Sequence, residues 1–162
     1  MNTAYYESPL GRIILASEED GLCGLWFEGQ KYIPEKQLSL AVQADDAVLN
    51  ETKRWLDSYF AGKQPEGIPP LHLQGTPFRI RVWNELLQIP YGSVMTYGEL
   101  AQRLQRDGSR CSARAVGGAV GHNPVSIIVP CHRIIGADGS LTGYAGGTER
   151  KKALLTMERA VW

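Results

Sequence analysis

A thiol, an imidazole and a guanidinium occupy successive positions at Cys131, His132 and Arg133, directly after Pro130. The β-branched run at 127–129 reads as a short buried strand, and Pro130 is where its pairing must stop. Polar groups at the end of a buried strand are costly unless they are paired or used. A cysteine is a nucleophile as thiolate, and an imidazole that takes its proton is the usual way to form one near neutral pH. Neighbouring side chains on an extended chain point to opposite faces. Either a turn at 131–132 brings the pair together, which the fixed φ of Pro130 favours, or one water relays the proton.

An imidazole in that role needs a third group to set its tautomer and balance its charge. Glu158 is the candidate. It lies in a segment, 148–162, that reads as a helix capped by Thr148, with Leu154 and Leu155 before it and Val161 and Trp162 after it on one face. A carboxylate inside an apolar stripe requires a partner, here His132 or an arginine. Glu7 and Glu149 have no such surroundings and read as surface charge. Arg133 is assigned to an ion pair with the N-terminal half. Cys23 and Cys111 read as small buried hydrophobes without a role.

The elements that must position these groups fall into two parts. Residues 1–70 read as an α/β domain: strands at 3–7, 12–17 and 22–27 joined by tight turns, then a helix over 45–60 with Val48, Leu49, Thr52, Trp55, Leu56, Tyr59 and Phe60 on one face. A Pro/Gly-rich linker follows. Residues 76–162 read as a mostly helical second domain. Thr76 and Pro77 open a first helix, Thr96 caps a second over 97–104 with Glu99 completing a capping box, and a polar connection, 105–112, leads to a third over 113–120.

Helix, connection, helix is helix-turn-helix organisation. The third helix contains Ala113, Arg114, Ala115, Val116, Gly117, Gly118, Ala119 and Val120, a composition poor in helix propensity and almost without bulk. Such a surface permits close approach, either of another backbone or of a nucleic-acid groove. Internal packing explains the glycines equally well but leaves Arg114 without a purpose. Between Cys131 and the last helix, Gly143, Gly146 and Gly147 surround Tyr144 and Ala145, which suits a pocket wall or a plain surface loop.

Charge supports a nucleic-acid partner. The chain is neutral overall, yet residues 1–75 carry 6 Lys/Arg against 11 Asp/Glu while residues 76–162 carry 11 against 6. Arg103, Arg106, Arg110, Arg114 and Arg133 face only Asp107 over 101–133, the bland alternative being a solvated helix face. Three cysteines form no closed disulfide set, no apolar run approaches a membrane span, and the N-terminus lacks a signal pattern, so a reducing cytoplasm is expected.

Taken together, Pro130-Cys131-His132-Arg133-Ile134-Ile135, the 113–118 helix, Asn123-Pro124 and Thr142-Gly143-Tyr144-Ala145-Gly146-Gly147 resemble the O6-alkylguanine-DNA alkyltransferases over about residues 76–158. The resemblance implies a ribonuclease-H-like N-terminal sheet with a helix, a C-terminal winged helix-turn-helix, and irreversible transfer of an alkyl group from guanine O6 to a cysteine. It implies Cys131 as acceptor, His132 as base through water, Glu158 as the histidine's partner and Asn123 as brace of the active-site turn. By the same resemblance Arg114 would insert into the duplex and Tyr97 would help rotate the nucleotide out; Thr96, Ala113, Ala115, Gly117 and Gly118 would line the DNA surface, and Tyr144, Ala145, Ile134, Val120 and Tyr97 would form the base pocket.

The implied partner is duplex DNA carrying O6-alkylguanine, bound through the minor groove by a monomer, with O4-alkylthymine and cooperative binding left open. No cofactor is expected, and no metal either, because Cys23 and His72 are too few for the four-ligand zinc site of some relatives. The 105–112 connection is longer than the resemblance predicts. A cysteine hydrolase with a Cys-His-Glu triad and a non-catalytic winged-helix protein are the competing readings of the same residues.

Overall fold

The computed structural model describes residues 1–162, which divide into two compact units. The first contains Met1–Gln74 together with Pro124–Ser126. Strands β1 (Asn2–Ser8), β2 (Gly11–Glu18) and β3 (Gly21–Phe27) form an antiparallel meander, with Tyr5 opposite Ile14 and Ile14 opposite Trp26. A short helix α1 (Glu35–Ser39) leads to β4 (Val42–Gln43), which pairs parallel to β1 and gives the order β3-β2-β1-β4. This parallel edge strand was not foreseen, since two residues carry no periodicity.

Helix α2 (Ala47–Phe60) buries Leu49, Thr52, Leu56 and Tyr59, the face its spacing predicts. Its cap Asp46 accepts Leu49 N at 2.8 Å, Asn2 Nδ2 at 3.0 Å and the Ser17 hydroxyl, tying the helix to β1 and β2. The free edge of β3 is covered twice. Leu22 pairs with the chain at 70–72, and Leu25 N donates to Pro124 O at 2.9 Å while Leu25 O accepts from Ser126 N at 3.0 Å.

The second unit contains Gly75–Asn123 and Ile127–Trp162. Helices α3 (Pro77–Leu86), α4 (Tyr97–Leu104) and α5 (Ala113–Gly121) pack on one another. Each is capped by a hydroxyl that accepts an otherwise unpaired amide: Thr76 from Arg79 N, Thr96 from Glu99 N and Ser112 from Ala115 N. Trp83 of α3 is buried against α5 and donates its indole N–H to Ala119 O at 2.8 Å. A two-residue parallel pair, β5 (Met95–Thr96) and β6 (Ile134–Ile135), ties the start of α4 to the chain just after Cys131. Helix α6 (Thr148–Met157) closes the unit.

Two local expectations are overturned. Residues 127–129 are buried but form a turn rather than a strand, and Ile127 has φ +71°. The conformation persists because Asn123 Nδ2 donates to Val129 O at 2.7 Å, supplying from a side chain what a ladder would have supplied. Helix α6 begins after Gly147, which has φ +92° and caps without a side chain, and it ends at Met157. Glu158 is its C-terminal cap. Val161 and Trp162 lie beyond it and are exposed, so they do not flank the carboxylate on a helix face. No helix is long and apolar enough to cross a membrane.

Candidate active site

Cys131 opens a single 3-10 turn, Cys131–Arg133, entered from Pro130 and closed by Arg133 N donating to Pro130 O at 3.0 Å. The turn buries all three polar side chains instead of fanning them into solvent. Cys131 Sγ accepts from Asn123 Nδ2 at 3.1 Å, so a single amide nitrogen braces the preceding turn and faces the sulfur. Burial pushes the Cys131 thiol up to about 11, against the opposing pull of the Asn123 hydrogen bond and the Lys151 charge. The Cys131 side chain is therefore a thiol near neutral pH.

His132 is fully buried and its Nε2 lies 2.6 Å from Glu158 Oε2. The other carboxylate oxygen accepts Arg133 Nε at 2.8 Å and Gly92 N at 3.4 Å. Burial works to raise the Glu158 carboxyl, but the hydrogen bond from His132 and the hydrogen bond and charge of Arg133 prevail and hold it well below the usual carboxylate range. With Glu158 ionised it can only accept, so Nε2 carries the proton. Burial lowers the His132 pKa further than Glu158 raises it, which leaves a neutral ring with its lone pair on Nδ1. That buried nitrogen has no hydrogen-bond partner in the protein.

Arg133 does not pair with the N-terminal unit as expected. It binds Glu158, donates through a terminal nitrogen to Ile89 O at 2.7 Å and lies over the Tyr91 ring at 5.7 Å. The buried carboxylate thus serves both His132 and an arginine, rather than one of them.

Sequence reasoning overlooked Lys151. It projects from α6, is 1% exposed, and donates to Thr142 O at 3.3 Å. Burial lowers its pKa to about 8 while the nearby Cys131 sulfur works in the opposite direction. Its neighbours Arg150 and Lys152 made it look like part of an ordinary basic helix face. The signal available was its place four residues before Leu155, on the buried side of the helix.

The remaining predicted residues divide between buried or partly buried positions and the exposed surface of α5. A side chain on Gly143 (φ +85°) would meet the Tyr97 hydroxyl at 2.7 Å, so the glycine allows Tyr97 to lie against the 142–145 loop. Burial and the nearby Cys131 hold the Tyr97 phenol above its ordinary range. Tyr144, Val120 and Ile134 are buried, Ala145 and Thr96 partly so. On α5, Ala113, Arg114 and Ala115 are exposed, and a Cβ added at Gly117 or Gly118 would touch nothing within 4 Å. The glycines are thus not required by internal packing. Arg114 has no ion-pair or hydrogen-bond partner.

The sequence matches two family models, the 6-O-methylguanine DNA methyltransferase ribonuclease-like domain over residues 1–71 and the DNA binding domain of the same proteins over residues 77–160. The chain belongs to the 6-O-methylguanine DNA methyltransferase family. Among relatives in this family, the methylated-DNA–protein-cysteine methyltransferase of Mycobacterium tuberculosis is 45% identical over 154 residues, covering 95% of this chain and 90% of that protein. The methyltransferase of the same name from Methanosarcina acetivorans is 44% identical over 161 residues, covering 98% of each. The solved Mycobacterium tuberculosis OGT in complex with DNA superposes with a TM-score of 0.85 at 42% identity, over 98% of this chain and 93% of that one.

Proposed function

We infer that the protein repairs DNA by moving an alkyl group from O6 of guanine in a duplex to the sulfur of Cys131. The observation that carries this reading is that Cys131 Sγ accepts from Asn123 while the next two residues of the same turn, His132 and Arg133, both bond to the buried carboxylate of Glu158. Deprotonation happens at the point of use. His132 Nδ1, the unprotonated nitrogen, takes the thiol proton through a bridging water, and Glu158 holds the imidazolium that forms. Asn123 donates to the thiolate.

Sulfur then attacks the alkyl carbon in line with the C–O6 bond. The S–C bond forms, the C–O6 electrons return to the purine, and the guanine recovers one proton as the imidazolium loses its own. Tyr97, with its phenol at the pocket loop, is the group positioned to donate to the departing base. The product thioether has no nucleophile to cleave it, so each molecule reacts once.

A base within a stack must leave it to reach a buried sulfur. The smooth face of α5 suits the minor groove, and Arg114 fills the gap left by the extruded nucleotide. Thr96, Ala113, Ala115, Gly117 and Gly118 border the backbone, while Tyr144, Ala145, Val120 and Ile134 surround the base. A cytoplasmic location with access to chromosomal DNA fits a protein whose activity needs a reduced thiol.

The test is stoichiometric reaction with a duplex containing O6-methylguanine, followed by mass spectrometry of the Cys131 peptide. One added methyl group and a burst that stops at one equivalent are expected, and Cys131→Ala should bind duplex without reacting. Continued turnover would indicate a hydrolase instead.

A further inference from the structure

The connection between α4 and α5 spans eight residues, 105–112, where a helix-turn-helix ordinarily uses about three or four. A longer connection costs conformational entropy to order unless something holds it. Here α3 holds it. The Arg81 guanidinium donates to Leu104 O at the end of α4 and to Ser109 Oγ at 3.2 Å, and it pairs with Asp107 Oδ2 at 3.4 Å. Within the connection, Asp107 Oδ1 accepts Ser109 N at 2.9 Å, Ser109 Oγ donates to Leu104 O at 3.2 Å, and Gly108 at φ +84° donates to Gln105 O at 3.0 Å.

This arrangement also sorts the charges. Asp107 is the only carboxylate in the segment, and Arg81 neutralises it. Arg106 and Arg110 are exposed and have no carboxylate partner, and they precede the Ser112 cap and exposed Arg114 of α5. The connection therefore presents two unpaired guanidinium groups beside the smooth helix face, on a frame that keeps the one opposing charge occupied. Guanidinium groups held on an ordered backbone suit the fixed spacing of phosphates.

We propose that the 105–112 connection, shaped by Arg81, is a backbone-gripping element of the DNA-binding face, with Arg106 and Arg110 each contacting a phosphate. This rests on the function inferred above and adds sequence-independent affinity to a helix that contributes little charge of its own.

The experiment measures binding of an unmodified duplex across a potassium chloride series for the full-length wild type, for Arg106→Ala/Arg110→Ala and for Arg81→Lys. Thermal unfolding of each variant verifies that it is folded. Each phosphate contact contributes close to one unit to the slope of log K against log salt, so the double variant should lose about two units, equally on unrelated sequences. Arg81→Lys keeps the charge but cannot span the three partners, and its slope should fall between the two. An unchanged slope in the double variant overturns the proposal, and a wild-type slope in Arg81→Lys overturns the shaping role. If the wild type transferred no alkyl group to Cys131, the parent reading would fail; a reactive wild type with unaltered slopes sinks this inference alone.

Discussion

Glu158 binds Arg133 through Oε1 and leaves Oε2 to His132, so one buried carboxylate has a permanent cation on one oxygen and a titrating base on the other. The permanent cation keeps Glu158 ionised without requiring His132 to be charged. The imidazole can then stay neutral at rest.

Replacing Glu158 by Gln removes the charge that stabilises the imidazolium and leaves Arg133 buried without compensation. Transfer should slow by about a hundredfold, and unfolding should become easier by about 3 kcal/mol. Denaturant titration and single-turnover kinetics measure the two effects. A rate within twofold of the wild type would remove Glu158 from the proton path.

The same pair sets the acid response. Glu158 has a folded pKa below its unfolded one, so the unfolded chain binds the proton more readily; its contribution is complete above about pH 4.3 and is lost as pH falls toward the folded value. His132 is also lowered on folding, and its share is complete above about pH 6.5 and declines below it. Stability should therefore fall in two stages on acidification. In Glu158→Gln the carboxylate stage, below about pH 4.3, should shrink, leaving the smaller share of Asp46 and other carboxylates lowered on folding.

Lys151 should act on the sulfur through charge. Lys151→Met fills similar space without the cation and releases Thr142 O, so the Cys131 thiol should titrate still higher. Alkylation by iodoacetamide should shift its pH profile upward and slow at pH 7, below the Lys151 value of about 8, where the ammonium still carries its charge. An unmoved profile would restrict Lys151 to holding the 142–145 loop.

Gly117→Ala and Gly118→Ala separate folding from binding. Both positions are helical and open, so each substitution should stabilise the protein by up to about 1 kcal/mol. Duplex affinity should fall because each methyl group stands off the groove. Chemical denaturation alongside duplex titration gives both numbers; unchanged affinity would mean that this face of α5 does not approach DNA closely.

The helices of the second unit were legible because their caps and periodicity are local: Thr76, Thr96 and Ser112 each sit where a side-chain oxygen meets a free amide. Glu158 was legible because charge amid apolar residues demands a partner. The turn at 127–129 was not, since Ile-Ile-Val favours a strand by every local measure and only Asn123, four residues upstream, overrides it. Arg133 was misassigned for a related reason, because its partners Ile89 and Glu158 are 44 and 25 positions away. The end of α6 was missed because the apolar pair Val161 and Trp162 continued a helical pattern that Arg159, at φ +58°, interrupts.

The protonated, buried state of Cys131 matters most for a protein that cannot be regenerated. A preformed, exposed thiolate would react with any small electrophile or oxidant in the cell, and every such encounter would remove a molecule from service before it met a lesion. At 5% exposure, and with its thiol pushed up to about 11, the sulfur meets such reagents as a covered thiol rather than as a thiolate. On the proposed function, slow thiol chemistry in the unbound state would lengthen the protein's shelf life and keep the working stock for damaged bases.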